Sequence, residues 1–238
     1  MKQFILPVLA MILFSSCHFV GGERIRGNGN ITTVTSNVSD FSGVDVSGAA
    51  NVYVTQDSSY SVKVETDENL HSYLIVEVRG DLLRIHQEHN VNLRPTKLNV
   101  YVSGPMFKRL EASGACKIIS ENTLSSSEAM SIDLSGASDV NLDINSPKIR
   151  AELSGAGTVE LKGETRELSV DGSGSTDVKC FDLKAENVNV EISGAGSAQV
   201  FASVKLDVRV SGSGDIRYKG NPSINQHISG AGSVKKVD

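Results

Sequence analysis

The stretch VNVEISGAGSAQV, residues 188–200, decides the fold. Apolar residues occupy every second position on both sides of its central Ser-Gly-Ala-Gly. A spacing of two is the periodicity of a β-strand, whose successive side chains point to opposite faces. Glycine adopts backbone conformations that are denied to other residues, so it suits a sharp corner. The stretch therefore predicts two short strands joined at a Ser-Gly corner.

The same corner, followed by Ala or Ser, recurs along the chain. From Ser113 onward the steps between successive corners are 22, 19, 19, 20, 18 and 18 residues. Because one repeat cannot bury its own apolar side, the repeats must stack and share a core. We therefore expect an all-β fold, a parallel β-solenoid (β-helix) of right-handed sense with 18–22 residues per coil. The corner residues are Ser47, Gly48, Ser113, Gly114, Ser135, Gly136, Ser154, Gly155, Ser173, Gly174, Ser193, Gly194, Ser211, Gly212, Ser229 and Gly230.

Columns of equivalent residues predict which side chains face the core. With each corner serine counted as position 0, positions −3, −1, +5 and +7 are mostly apolar, and position +2 is small in every coil. We expect these columns, including Ala156 at +2, to point inward, and the polar position +4, which includes Thr158, to face solvent. In the last coil, polar Gln226 and Lys236 replace apolar residues, which predicts a cap that protects an open strand edge.

The region before the regular coils is predicted to be β-rich as well. Residues 44–54 match one coil, and an Arg79-Gly80-Asp81 hairpin turn and a short helix from Glu68 to Tyr73 accompany longer strands. Those strands are predicted at 61–65, 74–79, 82–86 and 97–102. We thus expect one domain over 40–238, with a β-rich N-terminal part at 40–107 and regular Ser-Gly-Ala coils at 108–238.

The first residues have the features of an export signal. Lys2 precedes an apolar stretch, Phe4 to Phe14, that is too short to span a bilayer. The stretch leads into Ser15-Ser16-Cys17, which resembles a lipobox, and this resemblance implies that Cys17 becomes the acylated first residue of the mature chain. We expect residues 1–16 to be a lipoprotein signal peptide. Residues 17–39, which begin with a glycine-rich stretch, are expected to form a lipidated, flexible tether.

Charge and cysteine content restrict the partners. The formal net charge is −5, so we expect no nucleic-acid partner, because nucleic acids are usually bound through a strongly basic surface. Cys116 and Cys180 fall three coils apart, which is about 14 Å and too far for a disulfide. We expect two free thiols, with Cys180 buried and Cys116 the more accessible because it lies at a corner.

The opening FSGVDVSGAANV, residues 41–52, and the Ser-Gly-Ala-Gly coils after it resemble a known family, "putative auto-transporter adhesin, head GIN domain". The resemblance covers about residues 40–238, and such domains are common in lipoproteins of Bacteroidetes. It implies a parallel β-solenoid and brings no catalytic residues. It also implies an adhesin, but fold alone does not fix function.

A search for chemistry among the residues predicts none. His86 and His89 stand three apart on a strand, so their imidazoles would diverge. Asp139, Asp177 and Asp215 recur at position +4, but in alternate coils about 10 Å apart, too far to share one calcium ion. No motif places a histidine beside a serine as a catalytic base. We therefore expect no catalytic residues, no metal site and no cofactor.

Two non-catalytic functions remain open from the sequence. The first is an envelope lipoprotein, held in the membrane through the lipid on Cys17, that presents a solenoid face to a glycan or a protein. The second is a structural or signalling accessory that binds another envelope protein. A polysaccharide-active enzyme is the third and least favoured. The expected location is the cell envelope, at the outer membrane, on a side that the sequence leaves open.

Overall fold

The computed structural model describes residues 22–238. The chain is nearly all β, with 71% strand and 3% helix, and it forms a parallel β-solenoid of about 7 turns with about 19 residues per coil. The predicted all-β parallel solenoid, with its β-rich N-terminal half, is therefore confirmed. Cys17 and the predicted signal peptide lie outside the described residues.

The N-terminal region contains nine strands and one 3₁₀ helix, Glu68–Tyr73. The helix, and the hairpin that turns at Arg79-Gly80-Asp81, occur where the sequence predicts them. The strands are β1 (Glu23–Arg26), β2 (Ile31–Ser36), β3 (Gly43–Gly48), β4 (Asn51–Gln56), β5 (Ser61–Asp67), β6 (Leu74–Arg79), β7 (Leu82–Gln87), β8 (Val91–Arg94) and β9 (Leu98–Gly104).

The regular coils follow, and in the later ones a single strand runs around most of the coil. These strands are β10 (Arg109–Gly114), β11 (Lys117–Ser120), β12 (Leu124–Ser125), β13 (Met130–Gly136), β14 (Asp139–Asn145), β15 (Lys148–Gly155), β16 (Thr158–Gly174), β17 (Asp177–Gly194), β18 (Ser197–Gly212), β19 (Asp215–Lys219), β20 (Ser223–Gly230) and β21 (Ser233–Lys236).

Two long sheets meet at the Ser-Gly corners. Sheet A contains β7, β3, β10, β13, β15, the C-terminal halves of β16, β17 and β18, and β20. Sheet B contains β9, β4, β11, β14, the N-terminal halves of β16, β17 and β18, then β19 and β21. The corner serines pair with one another from coil to coil, so equivalent residues form straight ladders at strand spacing.

The corner glycines have a conformation that only glycine adopts without strain. All eight have φ between 80° and 124°. Where a corner glycine stacks on the corner of the preceding coil, a Cβ added to it would also clash with the backbone of that coil. At Gly155 the added Cβ would lie 2.3 Å from the carbonyl oxygen of Gly136. The next residue's N–H donates to that same carbonyl, as Ala156 does to Gly136 at 2.8 Å. Glycine is thus required both by its own backbone and by the coil beneath.

The small residue that fills the inside of the corner is at position +3, so the prediction for position +2 is wrong. Ala115, Ala137 and Ala156 are exposed, whereas Cys116 and Ser138 at +3 are buried. Side chains point alternately inward and outward along a strand, and in each coil the odd-numbered positions −3 and −1 point inward. The next inward position, +1, is the corner glycine, which has no side chain. Alternation therefore resumes inward at +3, and the +2 side chain must point out.

One coil shows how closely this corner is packed. Thr176 at +3 is buried, and the usual apolar residue at −1 is replaced by Gly172 in the same coil. A Cβ on Gly172 would lie 2.6 Å from the Thr176 hydroxyl oxygen. The glycine at −1 thus makes room for the larger residue at +3.

Both remaining cysteines are free and buried, which confirms the absence of a disulfide within residues 22–238. Cys116 is the more exposed of the two, at 2% against 0% for Cys180, but it occupies the inward +3 column and is buried rather than open at the corner. Burial raises the pKa of the Cys116 thiol, and it raises the pKa of Cys180 to about 12.

The predicted tether over residues 17–39 is also corrected within its described part. β1 pairs with β8, and β2 pairs antiparallel with β5. The β2 sequence ITTVTS is rich in β-branched residues, which favour strands, and β5 offers it an unpaired edge. The two ends of the solenoid therefore differ: antiparallel strands close the N-terminal end, while polar Gln226 and Lys236 stand exposed in the last coil.

Candidate functional site

An open groove of about 540 Å³ lies along the third side of the solenoid, where sheet B turns back towards sheet A. Charged and polar side chains line it, among them Glu164, Arg166 and Lys184. Within residues 22–238, no three His, Cys, Asp or Glu side chains lie close enough together to hold a metal ion.

Of the residues that the sequence singled out for possible chemistry, His86 and the +4 carboxylates have structural partners, whereas His89 lies exposed in the turn after β7. The Nδ1 atom of His86 contacts the carbonyl oxygen of Gln87 at 3.0 Å, and its Nε2 lies 3.6 Å from Glu77. At position +4 the intervening residues hydrogen-bond to the carboxylates. Ser197 Oγ donates to Asp177 at 2.5 Å, and Ser233 Oγ donates to Asp215 at 2.5 Å. The +4 column therefore fastens neighbouring coils together.

A second acidic column, which the sequence reasoning missed, runs along sheet A at position −2. It contains six carboxylates in six consecutive coils, in register from each strand to the next. They are Asp45, Glu111, Asp133, Glu152, Asp171 and Glu191. We call this set the carboxylate ladder. Successive residues of the ladder are about 4.8 Å apart, which is half the distance between successive carboxylates of the +4 column.

Cations offset only part of the ladder's charge. Arg84 lies 3.1 Å from Asp45, Arg109 lies 3.7 Å from Glu111, and Arg150 lies 2.5 Å from Glu152. Asp171 and Glu191 have no basic side-chain nitrogen within 4.0 Å among the described residues. Burial, followed by repulsion from Asp45, raises the pKa of Glu111 above its ordinary value of 4.5. Like charges on adjacent strands oppose folding, so the ladder is a cost that the core must offset.

This cost can be measured at Glu111. Because its pKa is higher in the folded than in the unfolded state, the folded protein is favoured by protonation, and stability falls as pH rises above about 4.5. We expect Glu111→Gln to raise Tm by about 1–2 °C at pH 7. The gain should disappear below pH 4.5, where the carboxyl is protonated in both states. Thermal melts across this pH range test it, and a lower Tm at pH 7 would contradict it.

The outward aromatic rings of sheet B and the third side are engaged with other side chains. Tyr53 and Tyr101 stack on each other, with ring centroids 5.1 Å apart. The Lys184 ammonium lies over the Phe201 ring at 4.2 Å, and Lys219 lies over Phe181 at 5.2 Å. Each of these rings therefore has one face already occupied by another side chain.

The comparisons with known proteins agree with this architecture. The family model described as "Putative auto-transporter adhesin, head GIN domain" matches residues 40–222, and the chain belongs to this family. No curated protein matches the chain. Among the described residues, no helix is both long enough and apolar enough to cross a bilayer.

Three solved structures share the fold over their whole length. A "putative adhesin" from Bacteroides fragilis is 22% identical, with a TM-score of 0.85 over 90% of this chain and 100% of its own. A "putative lipid binding protein" from Parabacteroides distasonis is 29% identical, with a TM-score of 0.76 over 91% and 100%. A "putative adhesin" from the same species is 26% identical, with a TM-score of 0.73 over 90% and 100%. Family and neighbours together indicate a binding module of the cell envelope.

Proposed function

We propose that this chain is a non-catalytic lipoprotein of the cell envelope, acylated at Cys17 and located at the outer membrane, whose solenoid surface binds a macromolecular partner. The observation that carries the proposal is the geometry of the two sheets. Their outward side chains stand in straight ladders over successive coils, and the groove of about 540 Å³ beside them is open. Such a surface suits an extended partner better than a small substrate.

Sheet A is the proposed binding face, and a protein with a cationic surface is the proposed partner. The carboxylate ladder places six carboxylates in one row on this face, and a row of negative charge attracts a cationic partner and accelerates association. The self-stacked Tyr53–Tyr101 pair and the lysine-covered phenylalanines are poorly suited to sugar stacking. Asp171 and Glu191, which have no ion-pair partner within 4.0 Å among the described residues, support this choice.

A binding experiment with matched variants tests the partner and the face. The chain with Cys17→Ser is immobilised and offered a glycan array and detergent-solubilised envelope proteins. We expect one saturable protein partner, with affinity reduced at least about tenfold by Asp133→Asn, Asp171→Asn and Glu191→Gln together. The control, Asp139→Asn, Asp177→Asn and Asp215→Asn, removes the same charge from sheet B and should bind as the wild type does.

Three outcomes would overturn the proposal. Selective binding to a glycan, without a protein partner, would show that the partner is a glycan. An equal loss of affinity in both triple variants would show that sheet A is not the binding face. Turnover of any polysaccharide would show that the chain is an enzyme. Melting curves of all variants ensure that lost binding is not lost folding.

Anchoring is tested separately at Cys17. Replacement of Cys17 by Ala removes the thiol that would carry the acyl groups, and more than one acyl chain is needed for stable anchoring. We expect the Cys17→Ala protein to move from the membrane fraction to the soluble fraction. Sedimentation of the variant with membranes, as for wild type, would show that Cys17 is not the anchor.

A further inference from the structure

Strands β1 and β8 form a two-stranded parallel ribbon that is separate from the solenoid's continuous sheet. In this ribbon Arg24 pairs with Asn92, and Arg26 pairs with Arg94. Registered partners share a face, as do residues two apart on one strand, so Arg24, Arg26 and Arg94 point the same way. Half-buried Ile25 and Leu93 occupy the opposite face. The ribbon therefore has one cationic face and one partly buried apolar face.

The cationic face lacks internal partners. All three arginines are exposed, and none has a carboxylate oxygen within 4.0 Å among residues 22–238. Arg26 and Arg94 also stand directly beside each other on adjacent strands, and like charges in that arrangement repel. An anionic surface lying across the ribbon would relieve this repulsion and pair all three guanidinium groups.

The ribbon is fastened firmly to the body. Glu23 N–H donates to Asn90 at 2.7 Å, and the Asp67 carboxylate accepts from the backbone N–H groups of Gly29 and Thr96, each at 2.7 Å. Gly29 follows β1 and Thr96 follows β8, so Asp67 clamps both strands where they leave the ribbon. Burial would raise the pKa of Asp67, but these hydrogen bonds outweigh it and hold the pKa below its ordinary value.

The ribbon is also close in sequence to the proposed anchor. Five residue steps separate Cys17 from Gly22, so an extended chain places them at most about 17 Å apart. Electrostatic attraction to a membrane acts over about 8–10 Å at physiological ionic strength. An acyl group on Cys17 would hold the ribbon near this range permanently.

We propose that the cationic face of the β1–β8 ribbon binds the headgroups of anionic phospholipids and seats the N-terminal end of the solenoid on the membrane. The inference rests on the proposed lipid anchor for its location, but on Arg24, Arg26 and Arg94 for its chemistry. It gives the molecule an orientation, with the first coil nearer the membrane than the last.

Vesicle binding tests the ribbon without the anchor. Residues 17–238 with Cys17→Ser are mixed at low ionic strength with vesicles of phosphatidylcholine, with or without phosphatidylglycerol, and sedimented. We expect binding only to the vesicles that contain phosphatidylglycerol. Each arginine near an anionic surface contributes roughly fivefold, so Arg24→Gln, Arg26→Gln and Arg94→Gln together should lower the partition coefficient on the order of 100-fold.

The control removes the same charge from the last two coils, with Arg217→Gln, Lys235→Gln and Lys236→Gln, and should leave vesicle binding unchanged. Equal binding to both vesicle types, equal loss in both triple variants, or no binding by the wild type would each overturn the ribbon proposal. Since this assay contains neither an acyl group nor a protein partner, its failure leaves the proposed function intact. Conversely, a negative result in the Cys17 or partner experiments does not change what the vesicle assay shows about the ribbon.

Discussion

Replacing Val190 by Asp is expected to unfold the protein. Val190 is fully buried in sheet A, where it pairs with Val170 on one side and Val208 on the other. A carboxylate there would have apolar neighbours in both adjacent coils, and a buried charge without a partner is among the most destabilising single changes. We expect a loss of at least about 4 kcal/mol in the free energy of unfolding, measured by urea denaturation.

The adjacent residue provides the control. Asn189→Asp introduces the same carboxylate one position earlier, where the side chain points outward and is partly exposed. We expect a loss of at most about 1 kcal/mol in its unfolding free energy, because Asp207 pairs with this position on the next strand and like charges there repel. Similar losses in the two variants would mean that the alternation of inward and outward residues in sheet A is wrong.

Replacing Gly155 by Ala is expected to have the second largest effect. The alanine would have to adopt φ 121°, and its Cβ would lie 2.3 Å from the carbonyl oxygen of Gly136. Backbone strain of this kind costs about 1–3 kcal/mol, and the clash with fixed backbone adds to it. We expect a total loss of about 3 kcal/mol or more, observed as a fall in Tm of at least about 6 °C.

The first corner separates the strain from the clash. Gly48 has φ 110°, but nothing lies within 4 Å of its added Cβ, because β7 pairs with β3 only as far as Val46. Gly48→Ala should therefore show the strain alone and lose clearly less stability than Gly155→Ala. Ala156→Leu, on the exposed +2 position, should leave Tm nearly unchanged. Equal losses for the two glycine variants would contradict the stacking of the corners.

The repeat made the architecture predictable because stacking imposes the same demand in every coil. Apolar residues at every second position and a glycine at each corner identify strands, corners and coil length without any knowledge of distant contacts. The Glu68–Tyr73 helix and the Arg79-Gly80-Asp81 hairpin were predictable for a related reason, since local sequence determines both.

The features that sequence reasoning missed depend on what lies beside each residue in space. Ala156 at +2 is as small as a core corner residue, and only the phase of the alternation through Gly155 shows that it points out. From the sequence alone residues 23–36 look like a tether, because nothing local shows that they pair with the edges of β5 and β8. The carboxylate ladder was detectable as an unbroken acidic column at −2, but its meaning depends on the register that places Glu111 between Asp45 and Asp133.

Site-specific photo-cross-linking in intact cells tests the central claim, that sheet A of the solenoid binds a protein partner, most directly. A photoreactive amino acid is placed singly at Ser131, Ser169 and Asn189 on sheet A, beside the carboxylate ladder but without removing it. Control positions on sheet B are Asn141, Glu160 and Gln199. We predict that all three sheet A positions cross-link to the same protein and that the sheet B positions do not. No adduct from any of the six positions, or adducts from sheet B alone, would contradict the account.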